Sequence, residues 1–141
     1  MVNLIFYTLF FTLFVNFSFG SLRYSQINRA FMSSYKGLYE SCVVTVSNTG
    51  EPIYPYFDKE LVQKEVKTYF ATNVGKYTKD YNLSILFYRS DHRTQCLKNE
   101  YARTVRIILK TKINSLYTYN KARFFSITER DELWMINYCL L

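Results

Sequence analysis

The sequence is poor in the residues that bend the chain, crosslink it or titrate near neutral pH. It holds four Gly and two Pro, which excludes collagen-like and low-complexity chains. Three cysteines are too few for a disulfide-built miniprotein. With one histidine and no zinc-type cysteine spacing, no metal site is expected. No motif for a cofactor or for a reaction is present either, so no catalytic residue is assigned. The first twenty residues lack any charged side chain, and a run so apolar does not suit one face of a small domain. What is there argues for a folded chain. Hydrophobic residues make up 49% and aromatics 19% of 141 positions, too much for a solvated coil and the right length for one domain.

Residues 1–20 (MVNLIFYTLFFTLFVNFSFG) read as a signal peptide or a membrane anchor. About 20 apolar residues span a bilayer. Ser18 and Gly20 fit the −3 and −1 positions of a cleavage site before Ser21. A basic leader is missing, and the nearest cations, Arg23 and Arg29, follow the segment. The expectation is residues 1–20 as signal or anchor and residues 21–141 as a single extracytoplasmic α+β domain. The protein would then sit in the cell envelope, membrane-anchored or secreted.

After Gly20, Tyr24, Ile27, Phe31, Tyr35 and Leu38 form a helical stripe, so the apolar segment is expected to run into an amphipathic helix ending near residues 37–40. Residues 42–47 are β-branched and read as a strand. Asn48, Gly50 and Pro52 mark a turn. Asp58 is an expected N-cap for a second helix with Leu61, Val62, Val66, Tyr69 and Phe70 on one face. Gly75 is expected to close it in the left-handed conformation. Three strands follow at residues 81–89, 104–113 and 116–127, with an expected bulge near Asn120 where the alternation slips. Thr128 and Asp131 resemble a capping box for a short terminal helix buried through Leu133, Trp134, Ile136 and Leu140. Short loops between consecutive strands favour an antiparallel sheet of about four strands with helices on one face.

Charge is concentrated late. Residues 101–128 hold six basic side chains and no acid, most of the net charge of +7. Arg106, Lys110 and Lys112 on one strand, joined by Lys121 and Arg123 from the next, are expected to form a cationic sheet face. Such a face could meet anionic lipid or a wall polymer. Basic and aromatic groups on a sheet also suit single-stranded nucleic acid, but the apolar N-terminus and the absence of the aromatic RNA-binding motif disfavour that partner. In an oxidising compartment Cys42 and Cys96 could form a disulfide, closing a long loop for roughly 3–4 kcal/mol. Cys96 with His92 and Asp91 gives a nominal nucleophile pair that nothing else supports.

The segments SCVVTVSNTGEPIYPYFDKELV (41–62), TNVGKYTKDY (72–81) and KTKINSLYTYNKARFFSI (110–127) resemble TadE-like, pilin-like small membrane-anchored proteins of low-GC bacteria. The shared plan is an apolar N-terminal helix continuing as an amphipathic one before an antiparallel sheet. It implies an extracytoplasmic domain that packs on other envelope or pilus subunits through its first helix. The prepilin cleavage pattern is missing, since Gly20 is followed by Ser21. The expected function is a non-enzymatic envelope structural or assembly module. The alternatives are a secreted binding protein with a basic sheet face and, third, a small enzyme using the Cys-His pair.

Overall fold

The computed structural model describes residues 1–34, 36–89, 94–97, 100–130 and 133–140. The fold is α+β. A long helix α1 (Val2–Met32) and a short helix α2 (Lys36–Glu40) precede a hairpin of β1 (Val43–Val46) and β2 (Pro52–Phe57). Helix α3 (Lys59–Asn73) follows, then β3 (Tyr81–Tyr88), β4 (Thr104–Lys112), β5 (Thr118–Arg130) and β6 (Leu133–Leu140). The last four make an antiparallel meander in the order β3-β4-β5-β6.

The expected continuity of α1 holds: no break separates residues 1–20 from the amphipathic part. The helix stops at Met32, earlier than the stripe implied, and Leu38 reaches the core from α2. Asp58 caps α3 by accepting from the Leu61 N–H at 3.2 Å, satisfying a donor that the helix start leaves open. Gly75 is not left-handed. The Val74 and Gly75 N–H groups both donate to Phe70 O, and a Cβ on Gly75 would lie 2.3 Å from Ala71 O. Close approach to the preceding turn, rather than positive φ, explains this glycine.

Two further expectations are corrected. The β4–β5 register runs unbroken from Thr104↔Ser126 to Lys112↔Thr118, so there is no bulge at Asn120. The alternation slips there because two basic residues sit on the covered face, as described below. Residues 133–140 form a strand and not a terminal helix. Their letters alternate as well as they repeat at helical spacing, and the edge of β5 offers unpaired backbone groups that a strand satisfies and a helix does not.

Paired residues in an antiparallel sheet share a face. Val105, Ile107, Leu109 and Thr111 of β4 lie with Phe125, Arg123, Lys121 and Tyr119 of β5 on the face covered by the helices. Ile27 and Phe31 of α1 and Val62, Val66 and Phe70 of α3 are buried with them. Phe31 is the junction, its ring 6.0 Å from Phe70 and 5.9 Å from Tyr119. Each such side chain contributes roughly 1.5–3 kcal/mol by leaving water. The opposite face carries Thr104, Arg106, Ile108, Lys110 and Lys112 opposite Ser126, Phe124, Ala122, Asn120 and Thr118.

Candidate functional site

Helix α1 is two helices in environment. Residues 2–15 protrude, and every large apolar side chain from Val2 to Phe19 is exposed, Leu4 and Phe11 among them, at 70% and 66%. The helix is long and apolar enough to cross a membrane, with a mean hydropathy of 1.7 over its best window and none of that window buried. Eighteen residues at about 1.5 Å each give roughly 27 Å, close to the ~30 Å hydrocarbon thickness. Its polar interruptions are handled internally, because the hydroxyls of Thr8 and Thr12 donate to Leu4 O and Thr8 O at 2.8 Å. That back-bonding lets a hydroxyl sit in an apolar medium without an orphan donor.

The helix meets the domain at the β4–β5 turn. Asn114 organises this turn, its Oδ1 accepting from the Leu116 and Tyr117 N–H groups at 2.9 and 3.0 Å. Its Nδ2 donates to Asn16 O at 2.8 Å. Gly20 is buried beneath Tyr117, and a Cβ there would lie 2.3 Å from that ring. Tyr24 continues the seam with ring contacts to Tyr117 and Tyr119 at 6.3 and 5.2 Å.

The five basic residues expected on one face are divided between two. Arg106, Lys110 and Lys112 share the uncovered face, Arg106 lying 5.4 Å from the Phe124 ring centroid. Lys121 and Arg123 point the other way, into α1. Lys121 Nζ donates to Asn28 Oδ1 at 3.2 Å, which also accepts from the Tyr119 hydroxyl at 2.9 Å. Arg123 is buried, and its Nη1 donates to Phe31 O, Met32 O, Ser34 O and Ser34 Oγ at 2.9–3.2 Å. The Met32 carbonyl is one that a helix end leaves open, and the positive charge meets the negative pole of α1. Both residues are therefore structural cations. Register decides their side: they pair with Leu109 and Ile107, which lie on the covered face.

The expected disulfide is not formed, since Cys42 and Cys96 are not bonded to each other. Cys42 is buried and donates to Leu38 O at 3.4 Å, and burial pushes its thiol above the usual range. A raised thiol pKa leaves little thiolate for nucleophilic chemistry. Cys96 Sγ lies 3.6 Å from Tyr101 O. His92 and Asp91, the other members of the nominal pair, lie outside the described residues, and no metal-holding group of His, Cys, Asp and Glu occurs among the described ones.

No protein family, curated protein or solved structure matches the chain.

Elsewhere the titrating groups serve structure. Arg89 forms a bidentate ion pair with Glu100, and its hydrogen bonds hold that carboxyl below the usual range. Burial pushes the Tyr39 phenol up to about 12, where its ring stacks 3.5 Å from Phe125. Tyr119 is raised for the same reason. A cleft of about 320 Å³ lies between the β2–α3 corner and Tyr101, lined by Asp58, Lys59, Glu60 and Glu100. Asp58 there is committed to capping α3.

Proposed function

We propose that the protein is a non-enzymatic, membrane-anchored module of the cell envelope, pilin- or TadE-like in plan. The carrying observation is the exposed apolar half of α1, continuous with a half that is bolted to the sheet. An exposed face of this size is stable only against lipid or protein. The seat of Gly20 under Tyr117 supports retention of the helix over its removal, because the domain holds the segment on both sides of the Gly20–Ser21 bond. Other envelope subunits are the partners such a helix fits. The test is fractionation of the tagged full chain with alkaline carbonate washing and intact-mass measurement. Retention in the membrane pellet at full mass is the expected result. Recovery as free soluble protein overturns the proposal.

A second reading rests on the uncovered sheet face, where Arg106, Lys110 and Lys112 stand together. There the domain would dock an anionic wall polymer. Charge reversal at the three positions should abolish polymer binding, and unchanged binding rejects that face.

A further inference from the structure

The underside of the domain, where α1 leaves it, is hollow. A cavity of about 160 Å³ opens there between α1, the segment after α3 and the end of β4. Phe19, Arg23, Tyr77, Thr78, Lys112 and Ile113 line it, and no carboxylate does. The Arg23 guanidinium lies 5.2 Å from the Phe19 ring centroid and 5.7 Å from that of Tyr77, so two aromatic rings position the charge. Thr78 and Thr111 hydroxyls are hydrogen-bonded at 3.2 Å, fixing the rear wall.

The cavity's height along the helix matters. Arg23 follows Gly20 by three residues, about 4.5 Å up the axis. The headgroup layer outside the hydrocarbon is roughly 5–8 Å thick on each side. With residues 2–15 in the hydrocarbon and the β4–β5 turn outside it, the Arg23 guanidinium, drawn down beside the Phe19 ring, stands about four residues, roughly 6 Å, above Val15 and falls within that layer. Two cations without a lining acid are complementary to an anion. Apolar walls that continue onto the exposed helix are complementary to acyl chains.

We propose that this cavity seats the phosphate of an anionic glycerophospholipid, between Arg23 and Lys112, with the first acyl carbons against Phe19 and Ile113. The site meets the sheet-face patch only at Lys112, the last residue of β4, and Arg106 and Lys110 take no part. It rests on the reading of α1 as a membrane anchor.

The test uses the full chain in detergent micelles, titrated with phosphatidylglycerol or phosphatidylcholine of the same acyl chains and followed by native mass spectrometry. Phosphatidylglycerol adducts should persist where phosphatidylcholine adducts do not. The Arg23→Gln/Lys112→Gln variant should bind phosphatidylglycerol roughly thirty-fold more weakly, from two cations near an anionic headgroup. The Arg23→Lys/Lys112→Arg variant should retain the preference, and Lys110→Gln should leave it unchanged. Equal binding of the two lipids overturns the proposal, as does undiminished binding by the double glutamine variant. Equal occupancy by glycerol phosphate lacking acyl chains also overturns it, since the seat would then be for a soluble anion. Carbonate washing of the same membranes separates the two levels. Release of the chain overturns anchor and lipid seat together, whereas retention without headgroup preference overturns the seat alone.

Discussion

On the covered face of β4–β5, Lys121 and Arg123 spend their hydrogen bonds on α1. On the bare face of the same two strands, Lys110 stands in solvent. Residue type and local sequence are alike, and register alone separates a structural cation from a free one. The comparison teaches that a count of basic residues does not locate a binding surface. The covered cations are held because α1 supplies acceptors, the Asn28 side chain for Lys121 and carbonyls at the helix end for Arg123, and a buried charge is tolerated only with such partners.

The sharpest way to break the comparison is Arg123→Ala. It would remove the donor that Arg123 supplies to the Met32 and Ser34 carbonyls and should lower stability by about 3–5 kcal/mol, read from the urea midpoint. A change within about 0.5 kcal/mol would make Arg123 no different from Lys110. Next comes alkaline titration of the covered face. The Tyr39 phenol is raised from 10.0 to about 12 in the folded state, so the native protein binds this proton more tightly. Its contribution is complete below about pH 10 and is lost as pH rises toward about 12, on the order of 2–3 kcal/mol. Tyr39→Phe should flatten that fall in circular-dichroism melts across the window. A smaller effect is expected at the seam, where Gly20→Ala forces a methyl into the Tyr117 ring and should cost about 1–2 kcal/mol. Adding Tyr117→Ala should recover part of it, and strictly additive losses would show that the ring is not the obstacle. Smallest is Lys110→Gln on the bare face, expected within about 0.5 kcal/mol of the parent.

Much of this was legible because local periodicity and burial agree. The stripe of Ile27 and Phe31, the Asp58 cap and the alternation of 104–113 each read correctly from neighbouring letters. What failed depended on distant partners. Arg123 reads as a solvent-facing strand residue until the carbonyls of residues 31–34, some ninety positions away, are brought beside it. Residues 133–140 carry Leu133, Ile136 and Leu140 at helical spacing, and only the vacant edge of β5 decides for a strand. The anchor-like helix was plain in the letters. The cavity beneath the domain was not, because Arg23, Tyr77 and Lys112 come from three separated segments.

The attachment of α1 has a mechanical consequence. The helix is fastened at both ends of its packed half, by Asn114 at Asn16 and by Arg123 at Phe31 to Ser34. Between these points β5 climbs beside it from Tyr119, next to Asn28, to Arg123. Tension applied through the protruding half therefore enters the sheet along the strand direction. Antiparallel ladder bonds lie across that direction, so the β4–β5 pairs would be sheared together and not peeled one by one. A domain built this way resists being drawn out by its own tether.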